Sequence, residues 1–110
     1  MKININKQYK EKEILVFVEG EIDAYTAPTL REELWQLSEE ENTIISIDLK
    51  GVTYLDSTGL GVFVGLFKRL NANNGELRLT ELSNRLFKLF EMTGLINIMN
   101  ISVNSEAGGR

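Results

Sequence analysis

The sequence has no cysteine and no histidine, and a single proline, among its 110 residues. Without cysteine there is no disulfide, no thiolate metal site and no cysteine nucleophile. Without histidine the commonest general base, the commonest metal ligand and any serine–histidine catalytic pair are gone as well. An excess of positive charge is also lacking: the formal net charge is −4, from 12 basic and 16 acidic residues. With no basic stripe, direct nucleic-acid binding is not expected. No run approaches about 18 apolar residues, so no membrane-spanning helix is expected. The opening MKININKQYK alternates and has no apolar centre, unlike a signal peptide. The expected location is the cytoplasm.

What is present is one ordinary core. Hydrophobic residues make up 43% and charged residues 25%, and a chain of this length buries roughly two-thirds of its unfolded surface without staples. No linker, repeat or low-complexity segment divides it. The expected organisation is one domain over residues 1–104 and a flexible tail over 105–110.

Strand and helix patterns alternate along the chain. Ile3 and Ile5 alternate with polar residues, a charged turn follows at Lys10 to Glu13, and Ile14 to Val18 is a continuous apolar run. That run predicts a central strand buried on both faces. Pro28 suits the first turn of a helix with Thr26 as a nearby cap, and Ala27, Leu30, Leu34 and Leu37 carry the helix to about Ser38. A strand pattern covers Thr43 to Leu49. After a second helix to about Leu70, Asn73-Asn74-Gly75 marks a turn and Glu76 to Thr80 a further strand. Ser83 is a candidate cap for a third helix that stops at Gly94, and a short apolar stretch, Ile96 to Val103, closes the pattern. The fold class is α/β, a mixed β-sheet with helices packed against it.

Between the third strand and the second helix lies YLDSTGLG, Tyr54 to Gly61. On a helical projection Leu60, Phe63, Val64, Phe67 and Leu70, extended by Val62 and Leu66, form the expected core side. Ser57, Thr58, Gly61, Gly65, Lys68 and Arg69 fall on the other side. Two glycines on that side imply a close neighbour, either an element of the same domain or another protein.

Asp56, Ser57 and Thr58 are all good helix caps, and capping alone accounts for one of them. A serine nucleophile needs an activating base; Lys50 and Lys68 could in principle serve, but no Ser-x-x-Lys spacing starts at Ser57, and no catalytic residue, cofactor or metal is assigned. The glycines are spaced G-x-G-x-x-x-G, off the dinucleotide-binding register. An anion- or nucleotide-binding module using Thr58 and the helix start remains the alternative. A phosphate on Ser57 would add about −1.5 to −2 charges beside Asp56, tolerable at a helix start but not under a docked partner.

YLDSTGLGVFVGLFKRL, preceded by ISIDL and GEIDAYTAPTLREEL and followed by NNGELRLTELSNRLFKLFEMTGL, resembles the STAS domain of bacterial anti-sigma factor antagonists, above all the general-stress branch. The likeness runs over nearly the whole chain. It implies a single STAS domain without enzymatic activity and without a cofactor, whose phosphorylation motif is Asp56-Ser57-x-Gly59; a monomer is the default expectation. It implies that Ser57 is phosphorylated by an anti-sigma factor serine kinase and restored by a PP2C-type phosphatase. Unphosphorylated protein would hold the anti-sigma factor and free its sigma factor for transcription. The implied partner surface comprises Asp23, Tyr25, Thr26, Asp56, Thr58, Gly59, Gly61 and Gly65.

Overall fold

A computed structural model of the protein describes residues 2–103; the expected tail at 105–110 lies outside the described residues. Five strands form one sheet in the order of the chain: β1 (Ile3–Tyr9), β2 (Glu13–Ile22), β3 (Ile44–Leu55), β4 (Glu76–Leu82) and β5 (Asn100–Val103). β1 pairs antiparallel with β2, and every later pair is parallel. Parallel neighbours need crossovers, supplied by α1 (Ala27–Leu37), α2 (Ser57–Ala72) and α3 (Asn84–Met92), the last followed by a 3₁₀ turn at Leu95–Asn97.

The core forms where strand alternation meets helix periodicity. Val16, Val18, Ile45, Ile47, Leu77 and Leu79 pack with Leu30, Leu34, Phe63, Leu66 and Phe90. The opposite face of the sheet stays open. There Ser46 donates to the Glu13 carboxylate at 2.7 Å, and Arg78 pairs with Glu76 at 2.9 Å. That Arg78 hydrogen bond is the main reason the Glu76 carboxyl sits below the ordinary glutamate value.

This arrangement corrects the expectation for β2. Phe17 is 38% exposed and Leu15 only half-buried, because the helices cover one face. β2 is an internal strand, but β3 is the middle one. A continuous apolar run does not distinguish a strand sandwiched by helices from one whose outer residues are merely apolar.

The helix boundaries have local causes. Ser83 Oγ accepts from Leu86 N at 3.2 Å and caps α3 as expected. Gly94, at φ +79°, closes that helix in the left-handed conformation that glycine adopts freely. At the start of α1, Thr26 holds the cap position without a side-chain capping bond. The core arc of α2 is also rotated from the projection: Gly59, Val62, Phe63, Leu66 and Leu70 are buried, while Leu60, Val64 and Phe67 are half-buried at its edge.

Candidate functional site

The ends of β2 and β3 bring two distant segments together. In their parallel register Glu21 pairs with Tyr54 and Ile22 with Leu55. The residues that follow, the 23–26 loop and the start of α2, therefore lie side by side at the carboxyl ends of the strands. In open α/β sheets such ends are where ligands and partners are met. A hydrogen bond from Asp56 N to the Ile22 carbonyl, 3.3 Å, ties the two segments.

The first segment is held by its own polar groups. Asp23 is 4% exposed, and its Oδ1 accepts from Tyr25 N at 2.9 Å and Thr26 N at 3.1 Å. Thr26 Oγ1 donates to the Glu21 carbonyl at 2.7 Å and accepts from Asp23 N at 2.9 Å. Thr26 is thus an internal brace of the loop, at 6% exposure. Asp23 Oδ2 is buried and has no hydrogen-bond partner among the described residues.

In the second segment Asp56 is the cap. Its extended backbone, φ −111° and ψ −173°, sets Oδ1 to accept from Thr58 N at 3.0 Å and Gly59 N at 3.1 Å. Ser57 is the first residue of α2 and is exposed, as is Thr58. Of the three cap-competent side chains, the structure uses the first and leaves the serine on the surface.

Between the segments lies a cleft of about 310 Å³ lined by Glu21, Asp23, Ala24, Tyr25, Tyr54 and Asp56. Tyr25 is 82% exposed and Tyr54 47%, so two aromatic rings and the half-buried carboxylates of Glu21 and Asp56 face whatever approaches, with Asp23 buried behind them. This is a poor cradle for an anion: the carboxylates oppose it, and Asp56 already occupies two of the helix-start amides. Among the described residues no group of three or more His, Cys, Asp or Glu is placed to hold a metal ion.

The three glycines of the motif differ. A Cβ on buried Gly59 would stand 2.5 Å from Ile22 Cγ2 and 2.6 Å from Leu55 Cδ1, so that glycine lets α2 begin hard against the strand ends. Gly65 faces Trp35 within the domain. Gly61, one turn on from Ser57, is exposed and has nothing within 4 Å of the position a Cβ would take. Asp23, Tyr25, Asp56, Ser57 and Thr58 are therefore gathered at one end of the sheet, with Gly61 beside them; Thr26 and Gly59 lie beneath, and Gly65 lies under α1. Glu21 and Tyr54 were not picked out as site residues from the sequence. The register that pairs them was the missing signal, since it places both at the cleft.

Residues 4–108 match the family model for the STAS domain. The chain belongs to the STAS family. It is 50% identical over 108 residues to an anti-sigma-B factor antagonist of Bacillus subtilis (strain 168), covering 98% of each. It is likewise 50% identical over 111 residues to one of Listeria monocytogenes, covering 97% of each. The fold matches the crystal structure of an anti-sigma factor antagonist from Mycobacterium paratuberculosis, with a TM-score of 0.82 at 24% identity, over 92% of this chain and 86% of that one. Among the STAS proteins this chain thus stands with the anti-sigma factor antagonists, regulatory proteins rather than enzymes. Among the described residues of this STAS domain, no helix is long and apolar enough to cross a membrane.

Proposed function

We propose that this STAS protein is a cytoplasmic anti-anti-sigma factor switched at Ser57. Unphosphorylated, it binds an anti-sigma factor that is also a serine kinase, so that the sigma factor is freed for transcription. The kinase transfers phosphate from ATP to Ser57 and thereby loses its grip; a PP2C-type phosphatase restores the hydroxyl. The observation that carries this reading is the exposed Ser57 at the head of α2, beside the cleft, with the capping role already taken by Asp56.

The surroundings support a protein partner. Exposed aromatic rings such as Tyr25 and Tyr54 are the side chains that anchor interfaces. Glu21 and Asp56 call for a cationic surface opposite them. Gly61 leaves the surface next to Ser57 bare, so another backbone can come close. Adding about −1.5 to −2 charges there places like charge beside carboxylates under a docked partner.

Pull-down from native lysate with Ser57→Ala and Ser57→Asp baits, read by mass spectrometry, tests the proposal. An ATP-binding anti-sigma factor retained by the alanine bait and lost by the aspartate bait is the expected result. Identical captures by both baits would count against it.

A further inference from the structure

Asp56, Ser57 and Thr58 are three successive residues able to cap a helix, and which one does so decides what the serine hydroxyl is doing. With Asp56 as cap, the amides of Thr58 and Gly59 are taken by Asp56 Oδ1. Ser57 falls in the first helical position, exposed, and no hydrogen bond engages its side chain among the described residues. A start one residue later would make Ser57 the cap, with its Oγ accepting a first-turn amide. Gly59 cannot move far from either arrangement, because it is wedged against Ile22 and Leu55. Removing the Asp56 side chain would therefore leave the Gly59 amide in place and without an acceptor, open to a serine that takes over the cap.

We propose that Asp56 is a positioning residue for phosphorylation of Ser57: by occupying the cap it keeps the serine hydroxyl unbonded and available. This rests on the reading that Ser57 is the phosphoacceptor. In that transfer Ser57 Oγ forms a bond to the γ-phosphorus of ATP as the bond from that phosphorus to the β–γ bridging oxygen breaks. The electron pair leaves on ADP and the hydroxyl proton passes to a base of the kinase. An Oγ already accepting an amide N–H is a poorer nucleophile and must first break that bond.

The test is the initial rate of phosphorylation of the full chain by the purified anti-sigma factor kinase with ATP, for wild type, Asp56→Asn and Asp56→Ala. Asparagine caps about as well as aspartate, so Asp56→Asn should keep kcat within about twofold of wild type, while KM rises with the loss of a carboxylate that faces the kinase. Asp56→Ala should lose about fivefold in kcat, the size expected when one capping bond must be broken first, with KM no higher than that of Asp56→Asn. Amide exchange gives a second reading: in Asp56→Ala the Gly59 amide should stay protected by Ser57 while that of Thr58 loses protection. A wild-type kcat for Asp56→Ala would overturn the proposal whatever its KM, as would an Asp56→Asn variant with a kcat as low as the alanine's. If wild type itself is not phosphorylated at Ser57, the functional reading fails first and the proposal falls with it.

Discussion

Trp35 stands directly over Gly65: a Cβ on that glycine would lie 2.8 Å from Trp35 Cη2 and 3.0 Å from Cζ2. The indole is itself held from another side by Arg69, whose guanidinium lies 5.2 Å from the ring centroid and whose Nε donates to Ser38 Oγ at 3.0 Å. α1 and α2 can pack this closely only because Gly65 has no side chain. Gly61, four residues earlier on the same helix, has no such neighbour.

The two glycines should therefore respond in opposite ways. Gly65→Ala forces the ring to shift and should cost about 1–3 kcal/mol of stability, the usual penalty of overpacking. Gly61→Ala should gain up to about 1 kcal/mol, since glycine inside an exposed helix is disfavoured by that much. Gly61→Gln should keep the fold and weaken partner binding. Urea denaturation and binding measured on the same variants check both halves; a Gly61→Gln variant that binds as wild type would remove Gly61 from the interface.

Asp23 is a structural residue as well as a member of the cleft. Asp23→Ala deletes an acceptor for two loop amides in a buried setting and should cost about 2 kcal/mol. A stability change below about 0.5 kcal/mol in denaturant titration would show that the loop is held by other means.

Glu81 is in the left-handed region at φ +62°. The pairing of β4 with β5 shifts register between Leu79 and Leu82, and that irregularity turns Leu82 into the core after Leu77 and Leu79. A non-glycine residue pays about 1–2 kcal/mol for this conformation. Glu81→Gly should raise stability by up to about 1 kcal/mol, after the entropic cost of glycine in the unfolded chain. Thermal denaturation reads this directly, and a lowered midpoint would contradict it.

What the sequence disclosed and what it hid follow from the range of each cause. Ser83 and Gly94 announced the two ends of α3 because caps and left-handed stops act within a few residues. The alternation of Ile45, Ile47 and Leu49 announced β3, though its continuation to Leu55 was not marked by the same alternation. Which face of β2 was covered depended on where every helix landed, and that is not written in residues 14 to 18. Trp35 explains Gly65 from thirty positions away, and the cleft exists because β2 and β3 are parallel neighbours. The DST run showed three possible caps, and only the backbone at Asp56 selects among them.

Charge on Ser57 should break the complex with the anti-sigma factor. Calorimetric titration of the purified anti-sigma factor with unmodified protein and with protein phosphorylated at Ser57 tests it most directly. A like-charge clash at a specific interface costs several kcal/mol, and even about 3 kcal/mol is roughly a hundredfold in affinity. The phosphorylated form should lose at least that much affinity, with the fold intact by circular dichroism. Equal affinity of the two forms would contradict it.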